Sequence, residues 1–102
     1  APVQIQTRPE AFALANNYPN PFNPATTIKY ALPEASQVRL EVFNVVGQVV
    51  RTMVDAHQNA GRYVVQWDAT NDNGVNLSSG IYFYRLQVEG NYLEVKKMLL
   101  LK

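Results

Sequence analysis

Gln37-Val38-Arg39-Leu40-Glu41-Val42-Phe43-Asn44 alternates without a break: Val38, Leu40 and Val42 fall on one side, Arg39 and Glu41 on the other. A period of two belongs to a strand with one face on a core and the other in water. Gly47 marks a hairpin turn, and Gln48–Val54 reads as the return strand. Upstream, Thr26–Leu32 is another apolar, β-branched run, stopped by Pro33, which has no N–H for a ladder. Downstream, Asp55–Ala60 is polar and reads as a loop, and Gly61–Trp67 sets Tyr63, Val65 and Trp67 on one face. Asp68–Ser79 is a long polar loop with Asn73-Gly74 at its middle. Gly80–Val88 is an aromatic-rich strand, Glu89-Gly90-Asn91 a tight turn, and Tyr92–Leu101 the closing strand. No segment sustains a helical period. Short strands with turn signals every eight to twelve residues or so predict an all-β fold, an Ig-like antiparallel β-sandwich of about seven strands. Trp67 is the natural filler between two sheets, because a large ring spans the gap.

The 102 residues fit one domain. A hydrophobic content of 47%, a charged content of 17% and a net charge of +1 describe a globular chain. They give no electrostatic case for nucleic acid or an anionic membrane. There is no cysteine, hence no disulfide framework and no thiolate metal site. The apolar run Met98–Leu101 is far too short to be a transmembrane segment. The chain starts at Ala1 rather than Met, so it is expected to be a piece of a longer protein, with any export signal on the missing part. Residues 1–11, with Pro2 and Pro9, read as a linker from an upstream domain, with an edge strand possible at Val3–Gln6. Residues 12–102 read as the folded unit.

Asn17-Tyr18-Pro19-Asn20-Pro21-Phe22-Asn23-Pro24 leads into the first long strand. Each proline fixes φ and removes a donor, and each residue before one is pushed to extended geometry. Tyr18 and Phe22 mark this stretch as a stiff segment pinned onto the sheet rather than a free linker.

Catalysis finds little footing. His57, the single histidine, falls in a polar loop with no nucleophile pattern near it, so the protein is not expected to be an enzyme. Glu41 and Glu94 sit on strands and, if they face each other, form an ordinary cross-strand polar pair on a solvent face. Asp68, Thr70 and Asp72 have the alternate spacing of a calcium loop, yet the glycine comes one place late and Ser79 stands where a bidentate glutamate belongs. A hairpin loop built on Asx turns, with Gly74 supplying positive φ, is the plainer reading, and no cofactor is expected. Tyr18, Phe22, Tyr63, Trp67, Tyr82, Phe83, Tyr84 and Tyr92 are many rings for a small domain and raise sugar stacking as an alternative to packing. Asn76-Leu77-Ser78 matches a glycosylation acceptor. The terminal stretch Lys96, Lys97, Met98, Leu99, Leu100, Leu101 and Lys102 is unusually apolar for a free edge. Leu99 and Leu101 are read as core, and the strand as a recognition element offered by strand addition or peeling.

Taken in order, these landmarks resemble the C-terminal sorting domains of the type IX secretion (Por) system and the related Ig-like module of flagellar hook-capping proteins. The resemblance rests on the Asn17–Pro24 run with Thr26–Pro33, on Val38–Asn44 with Gly47, and on Ala60-Gly61 through Trp67-Asp68. It continues through Asn73-Gly74, Ser79-Gly80-Ile81-Tyr82-Phe83-Tyr84 and Lys97–Lys102. It spans about residues 14–102 and marks Tyr18, Pro19, Pro21, Phe22, Pro24, Trp67, Gly74, Gly80 and Tyr82 as core and lead-in positions. It implies a non-catalytic address domain of a larger exported protein. Such a domain would pass through the periplasm, be read at the outer membrane by the type IX machinery, and end secreted or on the cell surface. Its partners would be that machinery and an upstream cargo domain, with the domain itself a monomer. The alternative is an Ig-like accessory or carbohydrate-binding module of a secreted polysaccharide hydrolase or adhesin.

Overall fold

A computed structural model describes residues 9–102; the linker reading of residues 1–8 and the Val3–Gln6 strand lie outside them. Seven strands follow in order: β1 (Ala13–Leu14), β2 (Thr26–Leu32), β3 (Ser36–Phe43), β4 (Val49–Gln58), β5 (Gly61–Trp67), β6 (Gly80–Val88) and β7 (Tyr92–Leu100). They form two sheets, β1-β2-β5 and β4-β3-β6-β7, with every ladder antiparallel. The fold is an all-β Ig-like sandwich. β2, β5 and β6 have the bounds read from sequence.

The alternation that marks β3 also builds the core. Val38, Leu40 and Val42 are fully buried, and Val88, Leu86 and Tyr84 stand beside them in register on β6. The other sheet contributes Ile28, Tyr30, Leu32 and Trp67. Burying each such side chain contributes roughly 1.5–3 kcal/mol, which offsets the ordering of short strands. Trp67 is 1% exposed and packs at 5.8 Å on Phe22 and edge-on at 5.9 Å on Tyr82. Its indole N–H donates to the Thr70 carbonyl at 2.9 Å.

Three readings need correction. β4 runs on through Gln58, where the sequence reads as loop, because Asp55 and His57 pair opposite Arg39 and Gln37. An edge strand with polar residues has no apolar stripe to reveal it, and His57 therefore lies on a strand. Glu41 and Glu94 do not face each other. Glu41 lies on the outer face against Arg85, whereas Glu94 is opposite Leu86 and shares the inward side of β7. Leu99 and Leu101 are not core; Met98 and Leu100 are. Pairing of Met98 with buried Tyr82 sets the parity of the strand, and a one-residue shift in parity exchanges the faces.

Candidate functional site

β7 lies at the edge of the four-stranded sheet, and the Asn17–Pro24 segment closes over its C-terminal half. Phe22 forms a parallel bridge with Leu100. Its N–H donates to the Leu99 carbonyl at 3.0 Å, and its carbonyl accepts from the Leu101 N–H at 2.9 Å. Asn20 adds a side-chain clamp: Oδ1 accepts from the Leu99 N–H at 3.0 Å, and Nδ2 donates to the Lys97 carbonyl at 3.4 Å. Lys102 N–H donates to Ser79 Oγ at 2.9 Å. The apolar C-terminal half of β7 is thus a covered edge, one of the ways proteins stop sheet-to-sheet association.

The proline-rich segment is itself anchored. Tyr18 bridges Thr27 by exchanging backbone bonds at 3.0 and 2.9 Å. Buried Asn17 donates to Thr26 Oγ1 at 3.0 Å and to the Pro19 carbonyl at 3.2 Å, and Thr26 Oγ1 donates to the same carbonyl at 2.8 Å. The peptide bonds before Pro19, Pro21 and Pro24 are cis. Phe22 is buried, but Tyr18 is 80% exposed, so Tyr18 holds the segment by its backbone and not as a core ring.

The residues expected to form the recognition strand divide by face. Met98 and Leu100 are inside the sandwich and Leu99 is half-buried. Lys96 points inward beside Glu94, with Nζ 3.5 Å from Oε2. Lys97, Leu101 and Lys102 are exposed. Tyr92 donates its hydroxyl to Glu94 Oε1 at 2.6 Å. That bond, with Lys96 nearby, holds the Glu94 carboxyl below its ordinary value. Burial, followed by the hydrogen bond to Glu94, pushes the Tyr92 phenol up to about 12.

Asp68, Thr70 and Asp72 do not converge. Asp68 Oδ1 accepts from Thr70 N–H at 3.2 Å and Thr70 Oγ1 at 2.6 Å, and this hydroxyl bond lowers the carboxyl's pKa. Asp72 Oδ1 instead accepts from Thr52 N–H at 3.0 Å on β4. The Arg51 guanidinium lies 3.1 Å from Thr70 Oγ1 and 3.9 Å from Asp72, where a cation would have to sit. Gly74 has φ of 79°, and Asn71 Oδ1 accepts from Asn73 and Val75, as in a loop of Asx turns. The ring set also disperses. Phe22, Trp67, Tyr82 and Tyr84 are core, Tyr63 stacks on Tyr30 at 5.2 Å, Tyr92 on Phe12 at 5.6 Å, and Tyr18 alone is exposed among the large apolar residues of that set. Phe83 is half-buried opposite Phe43 on the outer face, so among the described residues no two rings of the set are both exposed, as a flat sugar platform would need.

One feature of the surface has no local signal in the sequence. Glu41 Oε1 accepts from Arg85 Nη2 at 2.8 Å, and the guanidinium carbon sits 4.7 Å over the Phe43 ring. Alternation puts both charges on outer faces, but only the pairing of β3 with β6 brings them together.

The FlgD Ig-like domain model matches residues 22–92. Among solved structures, the fold is similar to dimeric latent PorU from Porphyromonas gingivalis, with a TM-score of 0.72 and 21% identity over 89% of this chain. PorZ of Porphyromonas gingivalis, described as an essential bacterial surface component of its type-IX secretion system, aligns with a TM-score of 0.57 and 15% identity over 91% of this chain. FlgD from P. aeruginosa aligns with a TM-score of 0.57 and 21% identity over 76% of this chain and 66% of its own. The chain spans 9% of the PorU length and 12% of the PorZ length. No curated protein sequence matches it. At these identities the structural likeness shows the fold, while the family match extends over more than half of the sequence: the chain belongs to the FlgD Ig-like domain family.

Proposed function

We propose that this domain is a non-catalytic address for the type IX secretion system, borne by a larger exported protein and read through its closing strand. One observation carries the reading. The segment and the strand that hold the sequence resemblance at either end of the domain are joined to each other, Asn20 and Phe22 to Lys97–Leu101. That joint presents Lys97, Leu101 and Lys102 at a fixed corner. The fold likeness to domains of PorU and PorZ supports the same reading. Surface attachment or release to the medium would follow translocation.

The test is a fusion of the chain to a folded periplasmic reporter in a type IX-competent bacterium. Deleting Lys97–Lys102 would remove Met98 and Leu100 from the core, so the informative variant is Lys97→Glu/Leu101→Glu/Lys102→Glu. Export of the parent fusion with periplasmic retention of the folded variant supports the address reading. A folded parent fusion that stays in the periplasm overturns it.

A further inference from the structure

The clamp on β7 stops at Lys97. The backbone groups it engages are the Lys97 carbonyl, both groups of Leu99 and the Leu101 N–H, all on odd-numbered residues. Along a strand these directions repeat every second residue. The N–H and C=O of Leu93 and Val95 therefore point to the same outer edge, where among the described residues they form no hydrogen bond. Their side chains, 62% and 52% exposed, lie on the outer face of the sheet. Glu94 and Lys96 lie on the inward side between them.

Charges pointing inward at an edge normally disfavour an added strand, because an apolar newcomer strips their water and adds no partner to the Glu94–Lys96 contact within the strand. The run Leu93-Glu94-Val95-Lys96-Lys97 has one partner that answers both signs, namely itself. We propose that two copies of this chain associate through antiparallel pairing of their β7 edges centred on Val95, joining the two four-stranded sheets. In that register Glu94 stands opposite Lys96 of the second copy, and Lys96 opposite its Glu94. These are the non-hydrogen-bonded positions, where side chains come closest. Val95 faces Val95, and the Lys97 N–H donates to the Leu93 carbonyl while the Lys97 carbonyl stays with Asn20. The open edge of β5 has no such match, since pairing about Val64 would set Arg62 against Gln66. A contact this short belongs to the weak, transient class, so the monomer expected from sequence becomes a monomer–dimer equilibrium.

Sedimentation velocity on the full chain, from about 10 μM to about 1 mM, tests it. The expected result is a dimer that grows with concentration. Lys96→Glu places like charges opposite each other and weakens dimerisation about tenfold. Glu94→Lys/Lys96→Glu restores the pairing and returns affinity to near the parent value. Val95→Pro removes the central donor without touching the β6 ladder, because that N–H points outward, and abolishes the dimer. Far-UV circular dichroism checks the fold of each variant; if Val95→Pro does not fold, the charge-swap pair decides. A monomer throughout the range, or a dimer indifferent to Lys96→Glu, overturns the proposal.

Discussion

Phe22 and Leu100 form a parallel bridge that ties the lead-in segment to the last strand, with backbone bonds of 3.0 and 2.9 Å on either side. Both side chains are buried, at 1% and 0% exposure, so the bridge is also a packing contact with Trp67 behind it. The joint ties the segment ahead of β2 to the last strand across most of the length of the described sequence.

Phe22→Ala is expected to cost about 3–5 kcal/mol, as for other buried phenylalanines. Asn20→Ala removes only the side-chain clamp and should cost about 1 kcal/mol. The distinguishing measurement is amide exchange by NMR. In Asn20→Ala the Leu99 amide, which donates to Asn20 Oδ1, should lose protection selectively, while the Leu86 amide on central β6 keeps it. Equal loss at both would mean that the segment supports the whole fold and does not guard one edge.

Trp67→Ala should cost about 3–5 kcal/mol in urea unfolding, since the ring is buried between Phe22 and Tyr82. Trp67→Phe keeps most of the ring but leaves the Thr70 carbonyl without its indole donor, an expected loss of about 1–3 kcal/mol. A change below about 1 kcal/mol for the alanine variant would contradict this packing.

The strands were legible where period and punctuation agree. Val38, Leu40 and Val42 alternate, Pro33 stops β2, and Gly90 marks the β6–β7 turn with φ of 76°. Two kinds of information were hidden. Parity on β7 was ambiguous, because Met98, Leu99, Leu100 and Leu101 are all apolar and only the pairing partner on β6 decides which pair is inside. Contacts between distant positions were hidden as well. Asn20 and Leu99 are separated by 79 residues, and Glu41 and Arg85 by 44. No local pattern encodes that Asn20 caps an edge, although a run of prolines and asparagines beside a strand is the right chemistry for it.

Alkaline pH should unfold this domain through its buried phenols. Burial pushes Tyr30 and Tyr84 up to about 12, and the Tyr84 hydroxyl donates to the Ala15 carbonyl at 2.7 Å. In the unfolded chain tyrosine ionises near 10. The neutral form is therefore favoured by the fold, its contribution is whole below about pH 10, and it is lost as pH rises through about 12. Absorbance at about 295 nm, which reports ionised phenol, should rise for Tyr30 and Tyr84 only together with the loss of β-sheet circular dichroism. Tyr84→Phe and Tyr30→Phe should each flatten the decline in stability above about pH 10. An unchanged slope would remove these phenols as its cause.

The Glu41–Arg85 pair offers a sharper test of the outer face. Glu41 is 8% exposed, and the Arg85 side chain keeps 31% of its surface. Arg85→Met retains the stem over Phe43 but leaves a largely desolvated carboxylate without its donor. The expected cost is about 2–3 kcal/mol, below the roughly 3–5 kcal/mol of a fully buried pair because Arg85 still meets water. Glu41→Gln should cost less, since Arg85 can turn its charge outward. In Glu41→Gln/Arg85→Met no charge is stranded, so the double variant should be more stable than Arg85→Met alone, with a coupling of at least about 1 kcal/mol in a double-mutant cycle. Additive losses would mean that the two residues are neighbours on the sheet without being energetic partners, and that the Phe43–Arg85 stacking alone orders this face.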